Sequence, residues 1–116
     1  MKPHTRRAVA YIIGCFISGK HSSAIYDFSS SRHYPFSFHS SPSGISAYDY
    51  TKRCHISGGL TSIYHYGNRQ FISIQTNDNN FSGYDYDERC YFSGTVNGSN
   101  ITLYDYGVVS YFNFSI

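Results

Sequence analysis

One four-residue pattern recurs five times along the chain and constrains its fold more than any other feature. Each copy has a small or apolar residue, a tyrosine, an aspartate or histidine, and a second aromatic residue. The first tyrosines of successive copies lie 22, 16, 20 and 20 residues apart, which indicates an internal repeat. The copies are Ile25-Tyr26-Asp27-Phe28, Ala47-Tyr48-Asp49-Tyr50, Ile63-Tyr64-His65-Tyr66, Gly83-Tyr84-Asp85-Tyr86 and Leu103-Tyr104-Asp105-Tyr106.

The repeat extends beyond these four residues. In the second to fourth copies an arginine stands five residues after the first tyrosine, and in the second to fifth copies an aromatic residue or histidine stands seven residues after it. In the first copy we align Arg32 and Tyr34 with these positions, each one residue late. The corresponding residues of the other copies are Arg53, Arg69 and Arg89, and His55, Phe71, Tyr91 and Tyr111.

Each copy is predicted to form a β-hairpin. Tyrosine, phenylalanine and isoleucine favour strands, and a short polar turn such as residues 51–53 precedes a returning strand over residues 54–57. Turn clusters separate the copies, and one of them contains the hairpin signal Asn97-Gly98. The sequence therefore predicts an all-β fold: a pseudo-symmetric array of five or six hairpins with ten or eleven short strands and almost no helix.

Alternation along the strands assigns side chains to two faces. Tyr48 and Tyr50 share one face of their strand, and Ala47 and Asp49 share the other. We expect the tyrosine rings to form the core, with their hydroxyl groups at its edge. The hairpins should pack around an axis or stack as a solenoid, because a single hairpin is marginally stable. Open edges would be covered by closure into a ring or by pairing with a second copy, which makes a homo-oligomer through edge strands one expectation.

Composition excludes several classes of protein. Aromatic residues make up 19% of the 116 residues and charged residues only 14%, which is unlike a disordered chain or a coiled coil. A net charge of +2 is too small to indicate a nucleic-acid partner. No apolar run approaches the roughly 20 residues of a membrane-spanning helix. We assign residues 24–116 to a single hairpin-repeat domain, preceded by an N-terminal segment of residues 1–23.

The N-terminal segment has three interpretations. The sequence Cys15-Phe16-Ile17-Ser18-Gly19 resembles residues 54–58 and 90–94, which favours the returning strand of a degenerate sixth hairpin. Basic residues followed by the apolar run 8–17 are also typical of a secretion signal, including a lipoprotein signal ending at Cys15. The third interpretation is a disordered leader. A signal would imply a secreted or cell-surface protein, and otherwise the protein would be cytoplasmic.

The repeated aspartate, arginine and tyrosine residues are the candidate binding residues. Asp49 precedes Arg53 by four residues across a turn, and Asp85 precedes Arg89 in the same way. The favoured structural interpretation is a side-chain pair, or an aspartate bound to the turn backbone. The alternative is a ligand-binding surface repeated once per hairpin. Its residues would be Tyr48, Asp49, Arg53, Tyr84, Asp85, Arg89, Tyr104 and Asp105.

No catalytic, metal or cofactor motif is recognisable. Cys15, Cys54 and Cys90 lie 39 and 36 residues apart, which does not indicate a zinc site. We expect three small buried thiols, with a Cys54–Cys90 disulfide as the alternative. The six histidines have no metal-binding spacing, and a catalytic site would be singular and not repeated.

The Tyr-Asp pair, the polar turn and the returning aromatic strand resemble the YD-type tyrosine-rich β-hairpin repeats of bacterial proteins. Within that group, residues 24–116 are similar to the four-fold β-flower domains, in which hairpins gather around an axis. The chain differs in having a second aromatic residue after the aspartate and in lacking glycine within the turn, where only Gly67 and Gly107 come near. The hairpin length also resembles aromatic cell-wall-binding repeats, although those depend on tryptophan, which is absent here. Neither resemblance implies an enzyme.

These observations favour a non-enzymatic binding or interaction module of a bacterial protein, with a protein or glycan partner and no cofactor. The alternative is a carbohydrate-binding aromatic repeat, in which exposed tyrosines stack on sugars and aspartates accept hydrogen bonds from hydroxyl groups. A small hydrolase is a third hypothesis that no motif supports.

Overall fold

The computed structural model describes residues 1–116 and contains one helix and ten strands. Helix α1 spans Pro3–Ser18. The strands are β1 (Ala24–Asp27), β2 (Arg32–Ser41), β3 (Gly44–Asp49), β4 (Cys54–Gly58), β5 (Ser62–His65), β6 (Gln70–Asn77), β7 (Asn80–Asp85), β8 (Cys90–Asn97), β9 (Asn100–Asp105) and β10 (Ser110–Ser115).

The ten strands form a closed antiparallel barrel in which consecutive strands are neighbours. The last strand completes the ring, because β10 pairs with β1 through Tyr26 opposite Ser115 and Asp27 opposite Phe114. The mostly β fold and the number of strands are as predicted. Because β1 pairs with β10 within one chain, open strand edges no longer favour a homo-oligomer, which stays a prediction.

Helix α1 lies inside the barrel. Its residues from Thr5 to Cys15 are all buried, and it contacts strands β1, β2, β8 and β9. A helix that is apolar on every face is stable only when it is enclosed, and a barrel of ten strands has a lumen wider than its own side chains fill. The prediction of a returning strand over residues 15–19 is therefore wrong, and this one short helix is the exception in a mostly β fold.

The barrel strands contribute mainly isoleucine, leucine and phenylalanine to the core, and the helix supplies much of the rest. Ile25, Ile56, Ile63 and Leu103 of the barrel are completely buried. The prediction that the repeated tyrosines form the core is wrong, because their side chains lie on the outside of the barrel. The alternation that places Ala47 and Asp49 on one face and the tyrosines on the other is confirmed.

Five hairpin loops lie at one end of the barrel, which we call the turn end. Each loop has four residues, and the fourth has a left-handed backbone with φ between 54° and 56°. Type I turns ending in such a residue are common in hairpin loops of this length. The loops are residues 28–31, 50–53, 66–69, 86–89 and 106–109, and their left-handed residues are Ser31, Arg53, Arg69, Arg89 and Val109.

The first hairpin has the same register as the others. Ser31, and not Arg32, is its left-handed residue, and His33, and not Tyr34, lies opposite Tyr26. The predicted shift of one residue is therefore wrong. Tyr34 instead points inward and is buried.

Candidate binding site

The repeated aspartates point into the barrel at the turn end and stabilise the loops. Asp49 Oδ1 accepts hydrogen bonds from the backbone N–H groups of Thr51 and Lys52, both at 3.0 Å. Asp105 accepts the Gly107 N–H at 2.8 Å. Asp27 and Asp85 accept equivalent bonds, at 2.9 and 3.0 Å, from the residue two positions on. The interpretation as aspartates bound to the turn backbone is therefore confirmed.

The third hairpin achieves the same turn with a histidine. His65 Nδ1 accepts the backbone N–H of Asn68 at 3.1 Å, which leaves the proton on Nε2. The ring is completely buried, Nε2 has no hydrogen-bond partner, and burial lowers the pKa of His65 to about 4. His65 is thus a neutral substitute for the carboxylates of the other hairpins.

The start of helix α1 supplies positive charge to the buried carboxylates. Arg6 Nη1 lies 3.2 Å from Asp105 Oδ2, and Arg7 Nη1 lies 3.6 Å from Asp27 Oδ2. The Met1 amino group lies 3.0 Å from Asp105. Burial alone would raise the pKa of Asp105, but hydrogen bonds from Met1, Gly107 and Arg6 outweigh it and lower the pKa. The positive end of the helix dipole faces the same carboxylates, so the helix and the barrel are electrostatically matched.

The repeated aromatic residues form a band on the outside of the barrel next to the turn end, which we call the outer aromatic belt. In every hairpin the first tyrosine contacts the aromatic residue two positions on and the residue opposite it on the next strand. These ring centroids are 4.6–4.9 Å apart with interplanar angles of 61–81°, which is edge-to-face packing. The belt consists of Tyr26, Phe28 and His33; Tyr48, Tyr50 and His55; Tyr64, Tyr66 and Phe71; Tyr84, Tyr86 and Tyr91; and Tyr104, Tyr106 and Tyr111.

The belt is accessible to solvent. The second aromatic residue of each hairpin is 50–55% exposed, and Tyr91 and Tyr111 are 65% and 67% exposed. Exposed apolar residues usually stand singly on protein surfaces, whereas here large aromatic rings are clustered on each of the five hairpins. The belt is therefore the candidate binding surface.

Two open grooves, of about 350 and 730 Å³, cross the belt on the fourth and fifth hairpins. The first is lined by Tyr84 and Tyr91 and the second by Tyr104 and Tyr111, and both include Tyr106 and Ser93. A third groove, between the second and third hairpins, is lined by Lys52, Arg53, His55 and Tyr66. All three combine aromatic walls with polar groups, as small-molecule sites commonly do.

The structure separates the residues that the sequence grouped into one site. Tyr48, Tyr84 and Tyr104 are half-buried in the belt, whereas Asp49, Asp85 and Asp105 point to the opposite side of the same strands and are at most 1% exposed. Arg53 and Arg89 are exposed in the loops, and neither forms a salt bridge. The tyrosines and the aspartates therefore cannot contact the same ligand.

The sequence reasoning missed the residues that surround these tyrosines. Tyr106, Tyr91 and Tyr111 line the grooves together with small polar residues of neighbouring strands, such as Ser73 and Thr102. The sequence contained a signal for two of them, because Tyr91 and Tyr111 are the aromatic residues seven positions after the first tyrosines of their hairpins. Pairing of Tyr84 with Tyr91 and of Tyr104 with Tyr111 follows from the four-residue loop.

Neither a disulfide nor a group of metal ligands adds to this candidate site. Cys15, Cys54 and Cys90 are free thiols, so the Cys54–Cys90 disulfide does not form, although Cys54 is only partly buried. No three or more His, Cys, Asp or Glu side chains are grouped so that they could hold a metal ion. The single helix lacks the length and apolarity needed to cross a membrane.

Comparison with protein-family models, with curated proteins and with solved structures finds no match to this chain.

Proposed function

We propose that this protein is a non-enzymatic binding module, built as a pseudo-symmetric array of five hairpins, that binds through the outer aromatic belt. The observation that carries the proposal is the belt itself, in which the same edge-to-face aromatic cluster is presented on the surface by each hairpin. Exposed rings that are already packed against a neighbouring ring lose little conformational freedom when they contact a ligand. The resemblance to YD-type repeats stays a prediction beside this proposal.

The inner carboxylates support a structural role and not a catalytic one. Each accepts hydrogen bonds from its own loop, and all four are 3% exposed or less. A general acid or base must reach a substrate, and the enclosed face of the barrel does not offer that access. Apart from the loop arginines, the exposed repeated residues are aromatic residues or histidines of the belt.

The proposal is tested with a variant in which Tyr50, Tyr66, Tyr86 and Tyr106 are all replaced by serine. Wild type and variant are applied to arrays of neutral oligosaccharides, anionic oligosaccharides and peptides. Asp49→Asn serves as the control, because it changes the inner face and keeps an oxygen that accepts the loop N–H groups. Circular dichroism and thermal melting establish that each variant is folded.

We expect wild type and Asp49→Asn to bind at least one common ligand that the fourfold tyrosine variant does not bind. Binding that is equal in all three proteins, or no binding by wild type to any ligand class, would contradict the proposal.

A further inference from the structure

The two grooves on the fourth and fifth hairpins are adjacent and share a wall. Tyr106 lines both, and its hydroxyl group lies 3.4 Å from Ser93 Oγ, which also lines both. Tyr91 lines only the first of these grooves, and Tyr111 lines only the second. A ligand with two successive units could therefore place one on each side of Tyr106.

The lining of these two grooves contains no charged side chain. Besides the aromatic rings, it presents neutral hydroxyl and amide groups, including Gln75 and Ser73 in one groove and Asn80 and Thr95 in the other. The groove between the second and third hairpins differs, because Lys52 and Arg53 line it. The uncharged section of the belt therefore favours a neutral ligand, since an anionic one would lose hydration without gaining a cation.

We propose that these two grooves bind a neutral oligosaccharide, with consecutive sugar rings on either side of Tyr106; this inference rests on the proposed binding function of the belt. A pyranose ring has an apolar C–H face that packs on an aromatic ring and a rim of hydroxyl groups that both donate and accept hydrogen bonds. The grooves supply the matching groups, with tyrosine rings as walls and with Ser, Thr, Asn and Gln side chains between them.

The repeat provides a matched control for Tyr106. Tyr66 occupies the same position in the third hairpin, is also 54% exposed, and contacts its first tyrosine at 4.8 Å, against 4.7 Å for Tyr106. It lines the basic groove and not the uncharged pair. Tyr106→Ala and Tyr66→Ala therefore remove equivalent aromatic surface from two sites that differ in charge.

The probes are cellohexaose, chitohexaose, maltohexaose and mannohexaose, with hexagalacturonic acid as the anionic counterpart. Binding to wild type and to both variants is measured by isothermal titration calorimetry, and thermal melting establishes that each variant is folded. We expect at least one neutral probe to bind. Tyr106→Ala should weaken that binding about tenfold or more, and it should weaken it several times more than Tyr66→Ala does.

The inference is overturned if no neutral probe binds, if hexagalacturonic acid binds more tightly than every neutral probe, or if both variants weaken binding equally. The proposed function has a separate outcome: a peptide or anionic ligand lost only in the fourfold tyrosine variant would preserve the belt as a binding surface while refuting the neutral oligosaccharide.

Discussion

Single residues at the turn end show how one loop geometry accommodates different side chains. The left-handed position is occupied by serine once, by arginine three times and by valine once. A β-branched side chain is disfavoured there, because its two branches crowd the backbone. Val109 is also 72% exposed, so it gains little from packing. The fifth loop therefore carries local strain that the others carry to a smaller degree.

Replacing Val109 should stabilise the protein. Val109→Asn is expected to raise the free energy of unfolding by about 1 kcal/mol, because asparagine tolerates the left-handed conformation. Urea denaturation measures the change. Val108→Asn is the control, since Val108 is 53% exposed and has no positive φ, and it should change the stability by less than about 0.5 kcal/mol. Equal changes in the free energy of unfolding for the two substitutions would contradict the strain assigned to Val109.

His65 should make stability depend on pH. Its pKa is about 4 in the folded protein and about 6.5 in the unfolded chain. Between these values the unfolded chain binds the extra proton, so stability falls as the pH decreases from 6.5 to 4 and is fully retained above 6.5. Nearby charged and titratable groups are His4, Asp87 and Lys2.

The test compares wild type with His65→Asn, in which the amide oxygen accepts the Asn68 N–H but does not titrate. From pH 7 to pH 4.5, wild type should lose on the order of 2 kcal/mol more stability than the variant, measured by chemical denaturation. Parallel pH profiles for the two proteins would show that the His65 ring is not buried as described.

Among the elements, the strands were predictable and the helix was not. Period-two alternation and a fixed loop length determined the hairpins, including the outward tyrosines and the inward aspartates at residues 47–50. Helix α1 contains several β-branched and aromatic residues and has no side-chain cap at its start. Its end, residues 15–19, has a sequence that resembles the returning strands of the hairpins. Its signals were Pro3 in the first turn, Gly19 at the end and the apolar residues 8–17, which cover all faces of the helix after its basic first turns.

The prediction that the repeated tyrosines form the core was wrong because the sequence reasoning had not predicted helix α1. Without knowledge of the helix, the tyrosines were the largest apolar groups available to fill an interior. The enclosed helix supplies Tyr11, Ile12 and Ile13 to the core instead, and Tyr11 stacks on Phe36 at 4.7 Å. The tyrosines are thereby left outside, where they form the candidate site. Predicting the site would have required predicting that helix α1 fills the barrel.

For the whole molecule, one strand repeat serves two purposes on its two faces. Inward aspartates hold the loops and face the start of the helix, and outward tyrosines form the belt. The sequence left open whether the hairpins close or remain an open array, because closure depends on strand tilt and on what occupies the lumen. The central claim is that the barrel closes around helix α1. Only a closed barrel puts the aspartate face of the strands inside and the tyrosine face outside.

Amide hydrogen exchange, followed by nuclear magnetic resonance at neutral pH, tests that claim most directly. If the helix is enclosed, the amides of residues 8–15 exchange only when the whole barrel opens, and they should be as strongly protected as those of Ile56 and Leu103. Helix amides that exchange orders of magnitude faster than those strand amides would contradict the account, because a helix outside the barrel could unfold by itself.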